Sequence, residues 1–474
     1  MLSIPPSARL NPRFLSEALP RIKKGENLES LNSLFEELIQ ENQAFYDQVD
    51  MNGVVERFHR LEGLLSKHLV NRGEIIRQGM RALMTGEHQF IFSSAGVAKS
   101  LYAKQLFSCF KHGEVFSIQF CPDTTPDDLF GAYDIEKFKK GEIYHNVEGS
   151  VITHPFAFLD EFMDGNDKLL RTLLGVLLER RFIAGSQVEE AMLHSAIATS
   201  NYMRRSETTE ALLDRFLYKS FISPAKDLFT LLRIDQVYMK NTGGVKAIED
   251  EQKIELRELV ALKRLILGYD PKGKVEIPTH VHFVKNMIAS GFEHEMKKYR
   301  PDYYLSPRTI SKSNDLIKAN VLLSGRCEAD LKDLDDLHFL FCTLNEPLDE
   351  NQSLLSQQLF REVVQSKKQY YRAIESELAP LLFCFDIVNR VQYEPNYMHE
   401  KMSKLPFETQ AKGVFETWLN NLGWKENVKD LTLFEYKSDF IKSIEDIPTQ
   451  HKEVVDFKRD LLELTMRLYS EHER

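Results

Sequence analysis

Apolar residues recur at three- and four-residue spacing from Leu28 to about Met84: Leu31, Leu34, Leu38 and Ile39 form one set, and Leu61, Leu64 and Leu65 another. That period puts each set on one face of a helix. Residues 1–26, with Pro5, Pro6, Pro12 and Pro20, lack the period and are expected to form an irregular lead-in. Between about 88 and 222 the pattern changes. Short apolar runs at Phe90–Phe92, Val115–Phe120, Ala157–Leu159, Ala196–Thr199 and Leu217–Ile222 punctuate helical stretches. Strands alternating with helices predict a parallel sheet covered on both faces. After Pro224 the strand signals fall away. Helical patterns cover roughly 225–240, 250–267, 279–298, 307–324 and 328–344, with breaks at Gly243–Gly244, Pro271–Gly273 and Tyr304–Pro307. Beyond about 350 the chain is helical and charge-rich, with Pro380, Pro395, Pro406 and Pro448 as breakpoints.

Length and composition narrow the picture. A chain of 474 residues, 43% hydrophobic and 28% charged, is long enough for two to four globular domains. Its net charge of −10 argues against a broad nucleic-acid-binding face, so nucleic acid is not an expected partner. The five cysteines, Cys109, Cys121, Cys327, Cys342 and Cys384, are never spaced as C-x-x-C, which reads as reduced thiols and not as a disulfide frame or a zinc site. No basic segment followed by an apolar run opens the sequence, and no stretch approaches the ~18 consecutive apolar residues of a membrane span. A soluble, cytoplasmic protein is expected.

Three strand ends carry candidate chemistry. After the run Phe90–Phe92 comes Ser93-Ser94-Ala95-Gly96-Val97-Ala98-Lys99-Ser100, followed by a helix. Small residues let backbone N–H groups converge on phosphate oxygens, and the helix N-terminus adds a positive dipole end. Lys99 would reach the β- and γ-phosphates and Ser100 would ligate Mg²⁺. The strict pattern G-x-x-x-x-G-K-[ST] fails at both glycines, where Ser93 and Ala98 stand. Alone, the segment reads equally well as an ordinary strand–turn–helix. The run Phe156–Leu159 ends in Asp160-Glu161, where Asp160 could hold the metal and Glu161 polarise the attacking water. Its plain reading is a helix N-terminus carrying favourable charge. Ala196–Thr199 ends in Ser200-Asn201, whose amide could orient that water or simply form a turn. Arg215 follows an amphipathic stretch and precedes the last strand, either as a helix C-terminal cation or as an arginine inserted into a neighbouring subunit's site.

In this order the pieces resemble the MoxR branch of the AAA+ ATPases, most closely its RavA-like members, over roughly residues 54–345. The family's loop reads G-P-P-G-x-A-K-S, so Ala98 is expected, whereas Ser93 and Ser94 depart. Asp127-Asp128-Leu129-Phe130-Gly131, Gly141-Glu142-Ile143-Tyr144 and Glu148-Gly149 resemble an insert in the second helix. Leu159-Asp160-Glu161, Leu178-Glu179-Arg180-Arg181-Phe182, Thr199-Ser200-Asn201, Ala211-Leu212-Leu213-Asp214-Arg215-Phe216 and Ser306-Pro307-Arg308 follow in family order.

The resemblance implies an AAA+ P-loop αβα core with a parallel five-stranded sheet, an all-α lid and a helical C-terminal region. The segments would be 1–53 (extension), 54–222 (nucleotide-binding domain with the insert), 223–345 (lid) and 346–474. It implies ATP held by Ser93, Ser94, Ala95, Gly96, Val97, Ala98, Lys99, Ser100, Leu101 and Arg308, and Mg²⁺ held by Ser100 and Asp160. Lys99, Glu161, Asn201 and Arg215 would carry catalysis, Arg215 acting across a hexameric ring. Arg308 would sense nucleotide, either in its own subunit or across the interface. Arg180 is a further interface candidate, or a solvated turn charge. A serine at 93 in place of a positive-φ glycine would cost about 1–2 kcal/mol of strain and weaken nucleotide affinity. The implied function is an ATP-driven remodelling or maturation chaperone working with a von Willebrand factor A domain protein. A nucleotide-binding scaffold or switch with little turnover, such as a defence-system component, is the alternative.

Overall fold

The computed structural model describes residues 4–94, 96–139, 141, 144–185, 187–202, 213–222, 227–240, 248–269, 274–342, 350–400 and 431–472, without the side chains of 350–355. Ala95, Glu142, Ile143, Ala211, Leu212, Pro224 and Pro406, named above, lie outside these residues, as do the breaks at 243–244 and 271–273. The chain divides into two compact units, Met1–Ile277 with Met296–Phe360, and Pro278–Glu295 with Arg361–Arg474.

The first unit opens with short helical turns and not with an irregular lead-in. Pro6–Arg9 and Leu19–Lys23 are helical with proline in the first turn, where a missing N–H costs nothing. With the helical turn Phe14–Ala18 between them, they place Ala8, Phe14 and Ala18 against Leu31, Phe35 and Leu38. Helices α1 (Asn32–Gln48), α2 (Met51–His68) and α3 (Gly73–Thr85) follow.

Strand β1 (Gln89–Ser93) leads through the loop to α4 (Lys99–Phe107), and β2 (Val115–Gln119) comes next. The insert contains α5 (Pro126–Phe130) and α6 (Ile135–Lys139). Strand β3 (Phe156–Asp160) and helix α7 (Asp167–Glu179) precede an antiparallel hairpin of β4 (Arg181–Ala184) and β5 (Gln187–Glu190), which the apolar pattern did not predict. The Gly185-Ser186 pair was its only sequence signal. Gln187 ties the hairpin to the insert, accepting from His145 N at 2.8 Å and donating to His145 O at 3.0 Å. Strands β6 (Ser195–Ser200) and β7 (Tyr218–Ile222) complete a five-stranded parallel sheet, ordered β2-β3-β6-β1-β7. All five predicted strands are present.

Alternation along these strands explains the layers. Ile91, Phe156 and Ile197 face a core built with α2, α3, α4 and later helices, while Phe90, Phe92, Ala157, Leu159, Ala196 and Ala198 face α7. Successive strand residues point to opposite faces, so a continuous apolar run buries both. Phe107 and Phe156 stack at 4.9 Å between α4 and β3. Each fully buried aromatic of this kind contributes about 1.5–3 kcal/mol.

Helices α8 (Leu228–Lys240), α9 (Leu256–Ile266), α10 (Thr279–Lys297), α11 (Pro307–Leu323) and α12 (His338–Phe341) follow the sheet, and most of α10 belongs to the second unit. That unit otherwise comprises the later part of α13 (Glu350–Tyr393), α14 (Lys437–Glu445) and α15 (Lys452–His472), and its described residues contain no strand. No helix among the described residues is long and apolar enough to cross a membrane.

The contact between α3 and α4 gives a test of sign. A Cβ on Gly79 would lie 2.0 Å from Tyr102 Oη, which is held by Ile75 O at 2.9 Å and Gln89 Oε1 at 2.8 Å. Helix propensity alone favours alanine by about 1 kcal/mol, but the overpacking costs about 1–3 kcal/mol. Gly79→Ala is therefore expected to lower the urea midpoint; a raised midpoint would disprove the close approach.

Candidate functional site

The parallel register brings three strand ends to one edge of the sheet. Phe92 pairs with Ser200 and Leu159 with Ala198, so Ser93, Asp160 and Asn201 emerge side by side. Ligands of open α/β sheets bind at such carboxyl edges.

The loop leaving β1 is shaped by two left-handed residues, Gly96 at φ +81° and Ala98 at φ 65°. Ser93 is not one of them. It lies buried in β1, paired with Ile222, and its hydroxyl donates to Ser94 O at 3.2 Å. The strain expected at Ser93 is therefore absent, because that position is extended strand. Among the described residues of this loop, the strained non-glycine position is Ala98, at a cost of about 1–2 kcal/mol. Its carbonyl accepts from Tyr102 N at 2.9 Å, so α4 begins at once with Lys99 and Ser100 in its first turn. Val97 is buried, Ser94 is exposed, and the Leu101 side chain is turned outward at 39% exposure.

Lys99 is buried, and its ammonium donates to Asn201 Oδ1. The Asn201 amide in turn donates to Glu161 Oε1. Burial lowers the Lys99 pKa, and the charges of Glu161 and Asp160 oppose that shift. Glu161 occupies the left-handed region at φ 49°, strain of the kind that clusters at functional sites. Asp160 accepts from Glu161 N at 3.1 Å, from Ser100 Oγ at 3.5 Å and from Thr199 Oγ1. Thr199 thus orients the carboxylate, a role that its place in a strand did not reveal. Among the described residues no group of three His, Cys, Asp or Glu could hold a metal. The hydroxyl and carboxylate of Ser100 and Asp160 are a hard-oxygen pair that fits Mg²⁺, which takes few protein ligands and completes its shell with water and phosphate.

Beside the loop lies a cavity of about 250 Å³, lined in part by Asn71, Arg72, Ile75, Phe221, Ile222 and His338. Arg72 links it to the loop by donating to Val97 O at 3.4 Å, and burial lowers the Arg72 pKa. These residues were missed because Asn71-Arg72 looks like a helix-start turn; only proximity to the loop marks them.

Two further site candidates are placed elsewhere. Asp214 lies 3.6 Å from Arg215 and 4.0 Å from Arg308, both partly exposed. This cluster precedes Tyr218, at the opposite edge of the sheet from Ser93, and β7 alone rises about 13 Å between the two levels. Arg308 therefore keeps company with Arg215, away from its own chain's loop. Arg180, read as an interface cation or a solvated turn charge, is neither. Its guanidinium points inward, donating to Gly86 O at 2.7 Å, to His194 O at 3.3 Å and to Leu177 O. Burial pushes it down to about 10.

Residues 56–263 match the model of the MoxR domain in the MoxR-vWA-beta-propeller ternary systems. Two uncharacterized proteins of Methanocaldococcus jannaschii are similar, one 25% identical over 61% of this chain and 71% of its own length, the other 26% identical over 60% and 70%. A structural protein of Acidianus two-tailed virus is 25% identical over 45% of this chain and 34% of its own. The fold is shared with the crystal structure of a candidate ATPase from Cytophaga hutchinsonii, at TM-score 0.50 and 19% identity, covering 69% of this chain and 96% of that one.

The left-handed Ala98 generates a prediction. Ala98→Gly relieves the steric cost at φ 65° but adds about 0.5–1 kcal/mol of unfolded-state entropy. A gain of up to about 1 kcal/mol in denaturant unfolding is expected, and Ser93→Gly should give no gain. The reverse order would restore the strain to Ser93.

Proposed function

Residues 56–263 are a MoxR-family AAA+ ATPase domain, and from that premise we propose that the protein hydrolyses ATP to remodel or mature a partner protein. The hydrogen-bonded line from Lys99 through Asn201 to Glu161 carries this reading. It puts a phosphate-seeking cation and a carboxylate base at fixed separation around one amide.

Bound Mg·ATP supplies an electrophilic γ-phosphorus and a leaving group whose charge the metal offsets. The chain's own residues do the rest. Loop N–H groups and the start of α4 hold phosphate oxygens. Lys99 neutralises charge that builds on them, and Ser100 and Asp160 present oxygens to the metal. Glu161 accepts the proton of the attacking water, while Asn201 fixes its carboxylate. Arg72 and the neighbouring cavity accommodate the base. Arg215 and Arg308 cannot serve the loop of their own chain, so they complete the site of another copy in a ring, read here as a hexamer. The RavA-like placement rests on the order of motifs from 127 to 216, and a von Willebrand factor A partner on the systems that the matched model describes. A cytoplasmic location is part of the same reading and is in keeping with the exposed free cysteines Cys121 and Cys327.

Phosphate release measures turnover. Glu161→Gln is expected to lower it about 10²-fold or more while nucleotide still binds; equal release from variant and wild type would leave only a nucleotide-binding scaffold. Arg215→Ala copies, inactive alone, should regain turnover when mixed with Glu161→Gln copies. No recovery in a mixture that assembles would remove the role across the ring.

A further inference from the structure

The sheet edge opposite the loop carries charged groups that hydrolysis as described does not use. Glu87, buried just before β1, accepts from Lys312 Nζ on α11 at 2.9 Å, and Lys312 also reaches Asp315 at 3.3 Å. Around Glu87 lie further cations. Lys263 of α9 is pushed down to about 8 by burial, Arg180 acts against it in the same direction, and Glu87 opposes that shift. Glu87 is likewise the carboxylate that favours the charged form of Arg180.

Lys312 follows Arg308 by four residues, so both leave one face of α11 a single turn apart. Arg308 occupies the first turn of that helix, after Pro307 and the N-cap Ser306. A cation there opposes the helix dipole, so local preference does not keep it in place. Asp214 attracts it at 4.0 Å, but only if α11 is turned so that its first turn faces Asp214. Besides the buried face that includes Ser313, Leu316, Ile317 and Asn320, that rotation has a polar constraint one turn further on, where Lys312 meets Glu87.

We propose that Glu87 is a positioning residue: through Lys312 it sets the rotation of α11 on the sheet edge, and so the direction in which Arg308 is presented to another copy. This rests on the reading of Arg308 as a group acting across the ring. Glu87 touches neither substrate nor reacting atoms, and its effect on turnover runs through Arg308.

Phosphate release and nucleotide binding are measured for Glu87→Gln, Lys312→Met and Lys312→Arg, with Arg308→Ala as reference. Glu87→Gln and Lys312→Met are expected to lower kcat about tenfold to a hundredfold, the scale of a small misplacement. Nucleotide affinity should be unchanged, because each copy's own loop is untouched. Lys312→Arg should restore kcat. Mixing either damaged variant with Glu161→Gln copies, which supply intact arginines, should also restore turnover. Should Glu87→Gln unfold, Lys312→Met tests the same link. Wild-type kcat in Lys312→Met, or affinity lost in parallel with kcat, overturns the proposal while Arg308→Ala remains impaired. Wild-type kcat in Arg308→Ala itself overturns the reading of Arg308, and the proposal with it.

Discussion

The parallel register between β1, β3 and β6 is the constraint on which the candidate site depends. With Phe92 opposite Ser200 and Leu159 opposite Ala198, Lys99, Asp160, Glu161 and Asn201 come within hydrogen-bonding reach although they are separated by up to 102 positions. A slip of one residue would turn Phe90 and Phe92 toward the layer that now receives Ile91. The same register would then carry Asn201 away from the line between Lys99 and Glu161. Core packing and site geometry are thus two consequences of one alignment.

That alignment also separates the charges. Anion-seeking groups gather where the strands end, at Lys99 and the first turn of α4. The two arginines gather where the last strand begins, beside Asp214. A single copy therefore holds the loop lysine and the two arginines at opposite edges of one sheet. The edge with the arginines carries further charges. Glu87 is buried there and Lys263, Lys312 and Asp315 are half-buried, and a buried charge persists only with partners. The arrangement makes the orientation of α11 a matter of electrostatics as well as apolar contact.

Several readings failed for identifiable physical reasons. Prolines suggested an irregular N-terminus, yet Pro6 and Pro20 stand in first turns of helical segments, where proline is tolerated. Ser93 was read by its place in a motif, but φ depends on where the strand stops, and β1 runs through it. Arg180 looked like a surface charge because arginines in turns usually are; here its left-handed position folds the side chain back onto backbone carbonyls. The cavity beside Arg72 joins residues 71–75 with 219–222 and 338–342, and no local pattern links segments so far apart.

What the sequence determined by itself was the set of five strands, the helices around them and the chemical identity of the residues at their ends. Each depends on short-range pattern: apolar runs bury both faces of a strand, and small residues before a lysine make a loop. Tertiary structure alone decided which candidates share a site. Lys99, Ser100, Asp160, Glu161 and Asn201 meet because their strands align, and Arg308 joins Arg215 because α11 packs across the far edge. The reason is that hydrogen bonds and ion pairs act over a few ångströms, whereas the residues that make them are scattered through two hundred positions of chain.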